Sequence, residues 1–174
     1  VGGVDVFVAK LAADGGRLEY ATYVGGSGDD RAAGVAVDGD GGVWVVGSTD
    51  SADFPVHAPA QPGPGGNGDG FLVKLDAAGR IAYASYLGGG PDSVTGVALS
   101  ASGSVHVTGN TGSADFPLVD PLQAELGAPS DAFVATFDPA AGRVVFATFL
   151  GGAGAHDAGF AIAAGPGDAI YVTG

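Results

Sequence analysis

Residues 5–11 read Asp-Val-Phe-Val-Ala-Lys-Leu, and two related heptads, Asp-Gly-Phe-Leu-Val-Lys-Leu and Asp-Ala-Phe-Val-Ala-Thr-Phe, return at 69–75 and 131–137. In the first heptad Phe7, Ala9 and Leu11 alternate with Val8 and Lys10. This period of two is typical of a β-strand, whose successive side chains point to opposite faces of a sheet. The recurrence predicts a chain built from three copies of one β unit.

Three further blocks recur in the same order in every unit. They are an aromatic block ending in Gly-Gly (20–26, 83–89, 146–152), a Gly-x-Ala-x block (34–37, 96–99, 159–162) and a block ending in glycine (43–47, 105–109, 170–174). Corresponding positions lie 62 to 65 residues apart. Val, Tyr, Phe and Thr dominate the blocks, and Gly- and Asp-rich turns separate them. Four short strands per unit predict an all-β fold in which each unit is a β-propeller blade. The only helical suggestion is one short turn at 121–126.

The chain divides into repeat units at 5–47, 69–109 and 131–174, joined by links at 48–68 and 110–130, and all of 1–174 is expected to be one propeller segment. Each link contains Ser-Ala-Asp-Phe-Pro, at 51–55 and at 113–117, so the link is itself part of the repeat. Phe54 and Phe116 are predicted to fill an apolar gap at the blade edge, and the proline after each ends the strand.

These motifs resemble the SBBP family of bacterial β-propeller repeats. Its pattern runs Asp-x-Phe-Val-x-Lys-Leu, Tyr-x-Thr-Tyr-Leu-Gly-Gly, Gly-x-Ala-x-Asp, Gly-x-x-Tyr-Val-x-Gly and Asp-Phe-Pro. The resemblance covers nearly the whole chain, with Thr136 in place of the lysine and Trp44 or His106 in place of a tyrosine. It implies a secreted bacterial protein, in the periplasm, at the cell surface or extracellular, with no enzyme activity and no catalytic residues.

In propellers that resemble this one, the Gly-Val-Ala-Val strand is innermost and the Tyr-x-Thr-Tyr strand is outermost. On that phasing the chain begins with two outer strands, continues through two complete blades and ends with two inner strands. These make about three blade equivalents, whereas closed propellers have at least four. We therefore expect an arc of a larger propeller. The alternatives are pairing with a second copy to make six blades, and a designed or reconstructed repeat protein.

The composition excludes several classes of function. With 19 acidic and 6 basic residues the formal net charge is −13, which disfavours nucleic acid and anionic membranes and favours cations or basic partners. The absence of cysteine excludes disulfides, thiolate zinc sites and cysteine nucleophiles. No apolar stretch is long enough for a transmembrane helix, so membrane insertion is not expected.

The acidic turns of the first unit are the candidate metal ligands. Asp29, Asp30, Asp38 and Asp40 supply carboxylate oxygens of the kind calcium prefers. The EF-hand spacing is absent, however, and the corresponding turns of the other units carry fewer acids. The pattern therefore favours solvated turns over calcium, and no other cofactor is expected.

Two sets of charged residues recur in all three units. An active site is made once, so recurrence favours structural roles: capping of a turn by the aspartates, and pairing with acidic neighbours or covering of the blade edge by the arginines. The sets are Asp5, Asp69 and Asp131, and Arg17, Arg80 and Arg143.

The remaining candidates are weak. The histidines lack zinc spacing, and His156 with Asp157 would be a catalytic pair only if adjacent side chains faced each other. Trp44 and His106 are expected either to bind a carbohydrate or protein as exposed aromatics or to fill the groove between blades.

The sequence thus predicts a non-enzymatic scaffold that binds proteins, or copies of itself, through exposed blade ends. The alternative is a propeller domain of an exported lyase, glycosidase or quinoprotein whose active site lies in other blades.

Overall fold

The computed structural model describes residues 2–140, 142–154 and 156–174. Within these residues the chain forms twelve β-strands and one 3₁₀ turn, Pro166–Asp168. The strands are β1 Val6–Leu11, β2 Leu18–Val24, β3 Asp30–Val37, β4 Val43–Thr49, β5 Asp69–Leu75, β6 Ile81–Leu87, β7 Asp92–Leu99, β8 Val105–Thr111, β9 Asp131–Asp138, β10 Arg143–Leu150, β11 Ala161–Ala164 and β12 Ile170–Thr173. No described helix is long and apolar enough to cross a membrane.

The strands form antiparallel sheets in chain order. β3 to β6 make one four-stranded sheet, here blade 1, and β7 to β10 make a second, blade 2. β1 pairs only with β2, and β11 only with β12; we call these two-stranded sheets the N-terminal and C-terminal half-blades. The all-β, four-stranded prediction is confirmed, and the order of strands is the one that the sequence phasing predicted. The four sheets do not close into a ring.

Adjacent sheets pack face to face, and blade 1 is covered on both sides. One core lies between blade 1 and the N-terminal half-blade and contains Val6, Val8, Phe71 and Leu75. A second core lies between the two blades and contains Trp44, Leu72, Tyr83, Phe133 and Phe137. Stacking of this kind is what makes each unit depend on its neighbours for a buried interior.

The innermost strands approach one another closely. A β-carbon built on Gly34 would stand 3.3 Å from the Val97 side chain of the next sheet, and one on Gly96 would stand 3.3 Å from Ile162. Both glycines sit at a register shift, where β3 and β7 each accommodate one extra residue. A glycine in these strands therefore permits the close approach of the following sheet.

The third inner strand departs from the predicted alignment. Gly159 was aligned with Gly34, but Ile162 pairs with Val172 as Val35 pairs with Val45, so Ala161 occupies the Gly34 position. The alignment of the block at 159–162 is therefore wrong by two residues. The hydrogen-bond register between β11 and β12 decides which residues are equivalent, and a match by residue type alone does not.

The predicted helical turn at 121–126 is also wrong. This segment lies along β10 and is hydrogen bonded to it. The Gln123 amide donates to Thr148 Oγ1 at 2.9 Å, and the Phe149 amide donates to the Gln123 carbonyl at 3.3 Å. Val119 forms a further bridge with Ala147. A link tied to the neighbouring strand leaves no carbonyls for a helical turn.

Glycine at the end of the fourth block is imposed by the pairing of three strands. A β-carbon on Gly47 would collide with the Arg31 carbonyl oxygen and stand 2.9 Å from Phe71 Cε1. We expect Gly47→Ala to lower the free energy of unfolding by about 3 kcal/mol, measured by urea denaturation, because β3 or the Phe71 ring must shift. Gly39→Ala is the matched control, since a β-carbon there has no neighbour within 4 Å. Equal effects of the two changes would refute this account.

Candidate functional site

A buried carboxylate ties the beginning of β3 to the link that follows β4. Asp30 is fully buried and accepts hydrogen bonds from the Gly26 amide at 2.8 Å and from Ser51 Oγ at 2.9 Å. The Thr49 hydroxyl donates to its other oxygen. Each carboxylate oxygen therefore has a donor, as a buried charge requires.

Blade 2 repeats the arrangement around Asp92. This buried carboxylate accepts from the amides of Gly89 at 2.8 Å and Gly90 at 3.0 Å, and from Ser113 Oγ at 2.9 Å. Burial raises the pKa of the Asp92 carboxyl above its usual value, while these hydrogen bonds oppose the rise. The sequence analysis missed this network, although its signal was present as Thr-x-Ser before both Ala-Asp-Phe-Pro segments.

The Gly-Gly pairs of the aromatic blocks lie against aspartate carboxylates. A β-carbon on Gly25 would collide with Asp5 Oδ1 and stand 2.7 Å from Asp30 Oδ2. The equivalent Gly88 lies against Asp92, and Gly151 lies against Asp131. The first glycine of each pair therefore leaves room for a carboxylate.

Two of the recurrent aspartates accept backbone hydrogen bonds from turns, which is the role that their recurrence suggested. Asp69 accepts from the Gly65 amide at 3.0 Å, and Asp131 accepts from the Gly127 amide at 2.8 Å and from Gln123 Nε2 at 2.6 Å. Burial is the main cause that raises the pKa of Asp69, and the neighbouring charge of Asp92 raises it further. The third member of the set, Asp5, lies beside Gly25 as described above.

The Phe of each Ser-Ala-Asp-Phe-Pro segment is buried in the blade. Phe54 stacks on Phe71 with ring centroids 4.9 Å apart, and Phe116 lies 4.5 Å from Phe133. The Tyr86 hydroxyl donates to the Ser51 carbonyl at 2.8 Å and accepts from the Phe54 amide at 2.9 Å. Link and blade are therefore one packing unit.

The four candidate calcium ligands are not brought together. Asp29 and Asp30 lie at the beginning of β3, whereas Asp38 and Asp40 lie in the turn after it, roughly 25 Å along the strand. Asp29 pairs with Arg31 at 2.7 Å, and Asp38 pairs with Lys74 at 2.8 Å. In the described part of the chain, no three His, Cys, Asp or Glu side chains form a group that could hold a metal ion.

The recurrent arginines lie at the outer edge. Arg17 pairs with Glu19 at 3.3 Å and Arg80 pairs with Asp76 at 2.8 Å, both in exposed positions. Arg143 is exposed at the first position of β10. Surface pairs of this kind contribute little to stability, and none of the three side chains reaches the carboxylate networks.

Trp44 and His106 are buried between sheets rather than displayed, with 1% and 2% of their surface exposed. Lys74 lies opposite Trp44 with its Nζ 5.5 Å from the ring centroid. In blade 2, His106 Nδ1 is hydrogen bonded to Thr136 Oγ1 at 2.9 Å, and burial lowers the pKa of His106. His106 and Thr136, which both depart from the family pattern, are therefore hydrogen-bond partners.

The His156–Asp157 pair is not assembled. His156 Nδ1 is hydrogen bonded to Ser130 Oγ at 2.8 Å, while Asp157 accepts from the Gly152 amide at 2.9 Å. The two neighbouring side chains thus serve different partners, as expected for adjacent residues of an extended segment.

Both half-blades expose large apolar side chains whose repeat equivalents are buried. Phe7 is 71% exposed, whereas its repeat equivalents Phe71 and Phe133 are fully buried. Tyr171 is 63% exposed, whereas the equivalent Trp44 is buried. The same repeat position is thus covered where four strands and a neighbouring blade are present and exposed where they are missing.

Each half-blade borders an open groove. The N-terminal groove lies between β1 and blade 1 and includes Phe7, Ala9 and Val35. The C-terminal groove lies beside β12 on the surface of blade 2 and includes Leu150 and Val172. In a complete blade, two inner strands would lie in the first groove and two outer strands in the second. These grooves are the candidate binding site.

The Tyr86 hydroxyl gives a test of the link's role in the blade. We expect Tyr86→Phe to lower the free energy of unfolding by about 1–2 kcal/mol, because it removes two hydrogen bonds from a buried site. Tyr23→Phe is the control, since Tyr23 is exposed. Thermal or urea unfolding measures both variants, and a Tyr86→Phe protein as stable as the control would contradict the assignment.

The buried carboxylate Asp92, at the beginning of β7, gives a pH test. The folded chain binds the Asp92 proton more tightly than the unfolded chain does, so this group's stabilisation is complete below the usual pKa of 3.8 and is lost as the pH rises through the higher folded pKa. We expect the NMR titration midpoint of Asp92 to lie above 3.8 and that of Asp76 below it. The Arg80 amide and guanidinium lower the pKa of Asp76. The reverse order of midpoints would overturn the assignment.

The comparison with known families agrees with the geometry. The family model described as SBBP, a beta-propeller repeat, matches residues 19–55, which run from β2 to the end of the first Ser-Ala-Asp-Phe-Pro segment. No curated protein matched the chain. The resemblance inferred from the motifs is confirmed over residues 19–55: this stretch of the chain is a repeat of the SBBP beta-propeller family.

Proposed function

We propose that this chain is a non-enzymatic extracellular or cell-surface scaffold that binds protein chains at its two half-blades. The observation that carries the proposal is the contrast at one repeat position, where Phe7 is exposed and both Phe71 and Phe133 are buried. A partner that supplies the missing strands together with a link phenylalanine, which in blade 1 is Phe54 stacked on the equivalent Phe71, would cover Phe7.

Two physical terms favour such binding. β1 is paired only with β2, and β12 only with β11, so the other edge of each strand presents unpaired backbone N–H and C=O groups that an added strand can satisfy. The apolar side chains beside these edges gain about 1.5–3 kcal/mol for each large residue that becomes fully buried. The large apolar residues exposed on the half-blade strands are Phe7, Leu11, Leu18, Tyr23 and Tyr171, and Phe160 is exposed directly before β11.

The absence of catalysis is proposed from the strands nearest the expected axis. β3, β7 and β11 are dominated by Ala, Val, Gly, Leu and Ile. Among the described residues, no three His, Cys, Asp or Glu side chains are grouped so that they could hold a metal ion. An enzymatic propeller needs unlike polar groups from several blades near the axis. The location at the cell surface rests on the family resemblance.

Strand addition can be tested with a surrogate partner. A synthetic hairpin with the sequence of residues 30–55 reproduces the inner strand pair of blade 1 and adds Phe54, which stacks on Phe71 in that blade, and it serves as the probe. We expect it to bind the chain, with Phe7→Asp weakening the affinity about tenfold or more, since burial of one phenylalanine exceeds the 1.4 kcal/mol of a tenfold change. Isothermal titration calorimetry measures the dissociation constants.

Leu122→Asp is the matched control, because Leu122 is also an exposed apolar residue but lies in the second link, outside the strands of both half-blades. It should leave binding unchanged. The proposal fails if the hairpin does not bind, or if both aspartate variants weaken binding equally.

A further inference from the structure

Two residues at corresponding places in the two links have a left-handed backbone immediately before a proline. Ala58 has a φ of 45° and precedes Pro59, and Asp120 has a φ of 47° and precedes Pro121. Residues other than glycine seldom have a positive φ, and a residue before proline is in addition pushed to the extended region by the proline ring. Strain of this kind persists only where the surrounding structure imposes it.

Hydrogen bonds on both sides of the position in the second link impose this conformation. On the side that precedes it, Val119 and Ala147 exchange backbone hydrogen bonds of 2.9 and 3.1 Å. On the side that follows it, the Gln123 amide donates to Thr148 Oγ1 at 2.9 Å. The backbone between these two points is therefore fixed to β10 at both of its ends.

The first link is held in the same way along β6. His57 and Ala84 exchange two backbone hydrogen bonds of 2.9 Å, and the Gln61 amide donates to Ser85 Oγ at 2.9 Å. The left-handed conformation thus belongs to the link of a blade rather than to one residue type. The side chain is what differs, since the first link has the methyl group of an alanine at this position and the second has a carboxylate.

We propose that Asp120–Pro121 is a self-cleavage site, at which the chain hydrolyses its own backbone in mild acid. The Asp120 carboxylate can reach its own main-chain carbonyl carbon by closing a small ring, and Ala58 has no group that could do so. The nitrogen of Pro121 belongs to a tertiary amide and carries no hydrogen, and after protonation it leaves as a secondary amine.

The step is a hydrolysis and needs only water and a proton. A carboxylate oxygen of Asp120 forms a bond to the carbonyl carbon, the bond from that carbon to the Pro121 nitrogen breaks, and the nitrogen takes a proton from the solvent. Water then opens the cyclic anhydride and restores the side-chain carboxyl group together with a new terminal carboxyl group. The net change is the addition of one water molecule across the peptide bond.

The geometry favours this bond over the other aspartate–proline bond of the chain, Asp138–Pro139. Asp120 is exposed, so the solvent can supply the proton and the water. Asp138 lies in β9 without a positive φ, and its Oδ1 accepts a hydrogen bond from the Ala140 amide at 2.9 Å.

Strain at Asp120 also lowers the barrier. When its carbonyl carbon becomes tetrahedral, the partial double bond to the proline nitrogen is lost and the proline ring can turn away. We therefore expect cleavage at Asp120–Pro121 to be about tenfold faster than at Asp138–Pro139, which corresponds to a barrier lower by about 1.4 kcal/mol.

The two products, 1–120 and 121–174, are expected to stay together. Cleavage separates β8 from β9 in the chain, but these strands remain paired in the sheet of blade 2. Phe116 of the first product also remains packed on Phe133 of the second, with ring centroids 4.5 Å apart. The cleaved protein should therefore elute as one species in size exclusion and separate only on denaturation. This site is independent of the binding proposed for the half-blades.

Mass spectrometry tests the site after incubation at the lowest pH that leaves the circular dichroism of the folded chain unchanged. We expect the fragments 1–120 and 121–174 to appear about tenfold faster than those from Asp138–Pro139. Asp120→Ala should abolish the first pair of fragments and leave the second. Ala58→Asp should create a new cleavage before Pro59, because it places a carboxylate at the same strained position of the first link. Circular dichroism shows whether each variant is folded.

The chain unfolded in urea at the same pH is the control for strain. There the left-handed conformation is no longer imposed, so both aspartate–proline bonds should be hydrolysed at equal rates. The proposal is overturned if the folded chain is not cleaved at Asp120–Pro121, or if it is cleaved equally at both bonds. A preference for Asp120–Pro121 that persists in urea, or a folded Ala58→Asp variant without the new cleavage, overturns the role of the strained link.

Discussion

Every sheet in the described part of this molecule has two faces to cover, and the covering surface is a neighbouring sheet together with the link residues Phe54 and Phe116. Blade 1 satisfies the condition on both sides, with Phe71 and Leu75 in one core and Leu72 and Tyr83 in the other. The half-blades satisfy it on one side only. The positions of exposed apolar residues follow from this requirement, since a repeat position is buried or exposed according to its neighbours rather than its identity.

The blade junctions add a polar constraint to this apolar stacking. A carboxylate at the beginning of β3 or β7 is buried where chain segments from two units meet, and it is retained because backbone amides and hydroxyls of the link converge on it. The Gly-Gly pair, the Thr-x-Ser segment and the aspartate are therefore parts of a single network. Their recurrence in the sequence reflects a shared hydrogen-bonding geometry.

The strands and their order could be predicted because the four blocks have a strong period of two and return at regular intervals. Contacts between segments distant in the chain could not be predicted in the same way. The partners of Asp30, the burial of Trp44 and His106, and the path of residues 121–126 along β10 all depend on which segments meet in space. The alignment of β11 was wrong for a related reason. Gly159 matches the pattern by residue type, but the hydrogen-bond register places Ala161, two residues later, at the position of Gly34.

The cross-strand pairs on β4 and β8 bear on how such arrays change over generations. Trp44 lies opposite Lys74, and His106 lies opposite Thr136, so each of the two complete blades carries a cross-strand pair whose members are about thirty residues apart in the chain. Recombination between neighbouring repeats, with a crossover inside that interval, would join a tryptophan to a threonine or a histidine to a lysine. The first product loses the cation over the ring, and the second buries a lysine beside a histidine. A recombination that keeps both members of each pair together preserves the packing of the sheet. The pairs therefore restrict crossovers to positions outside the interval between their two members.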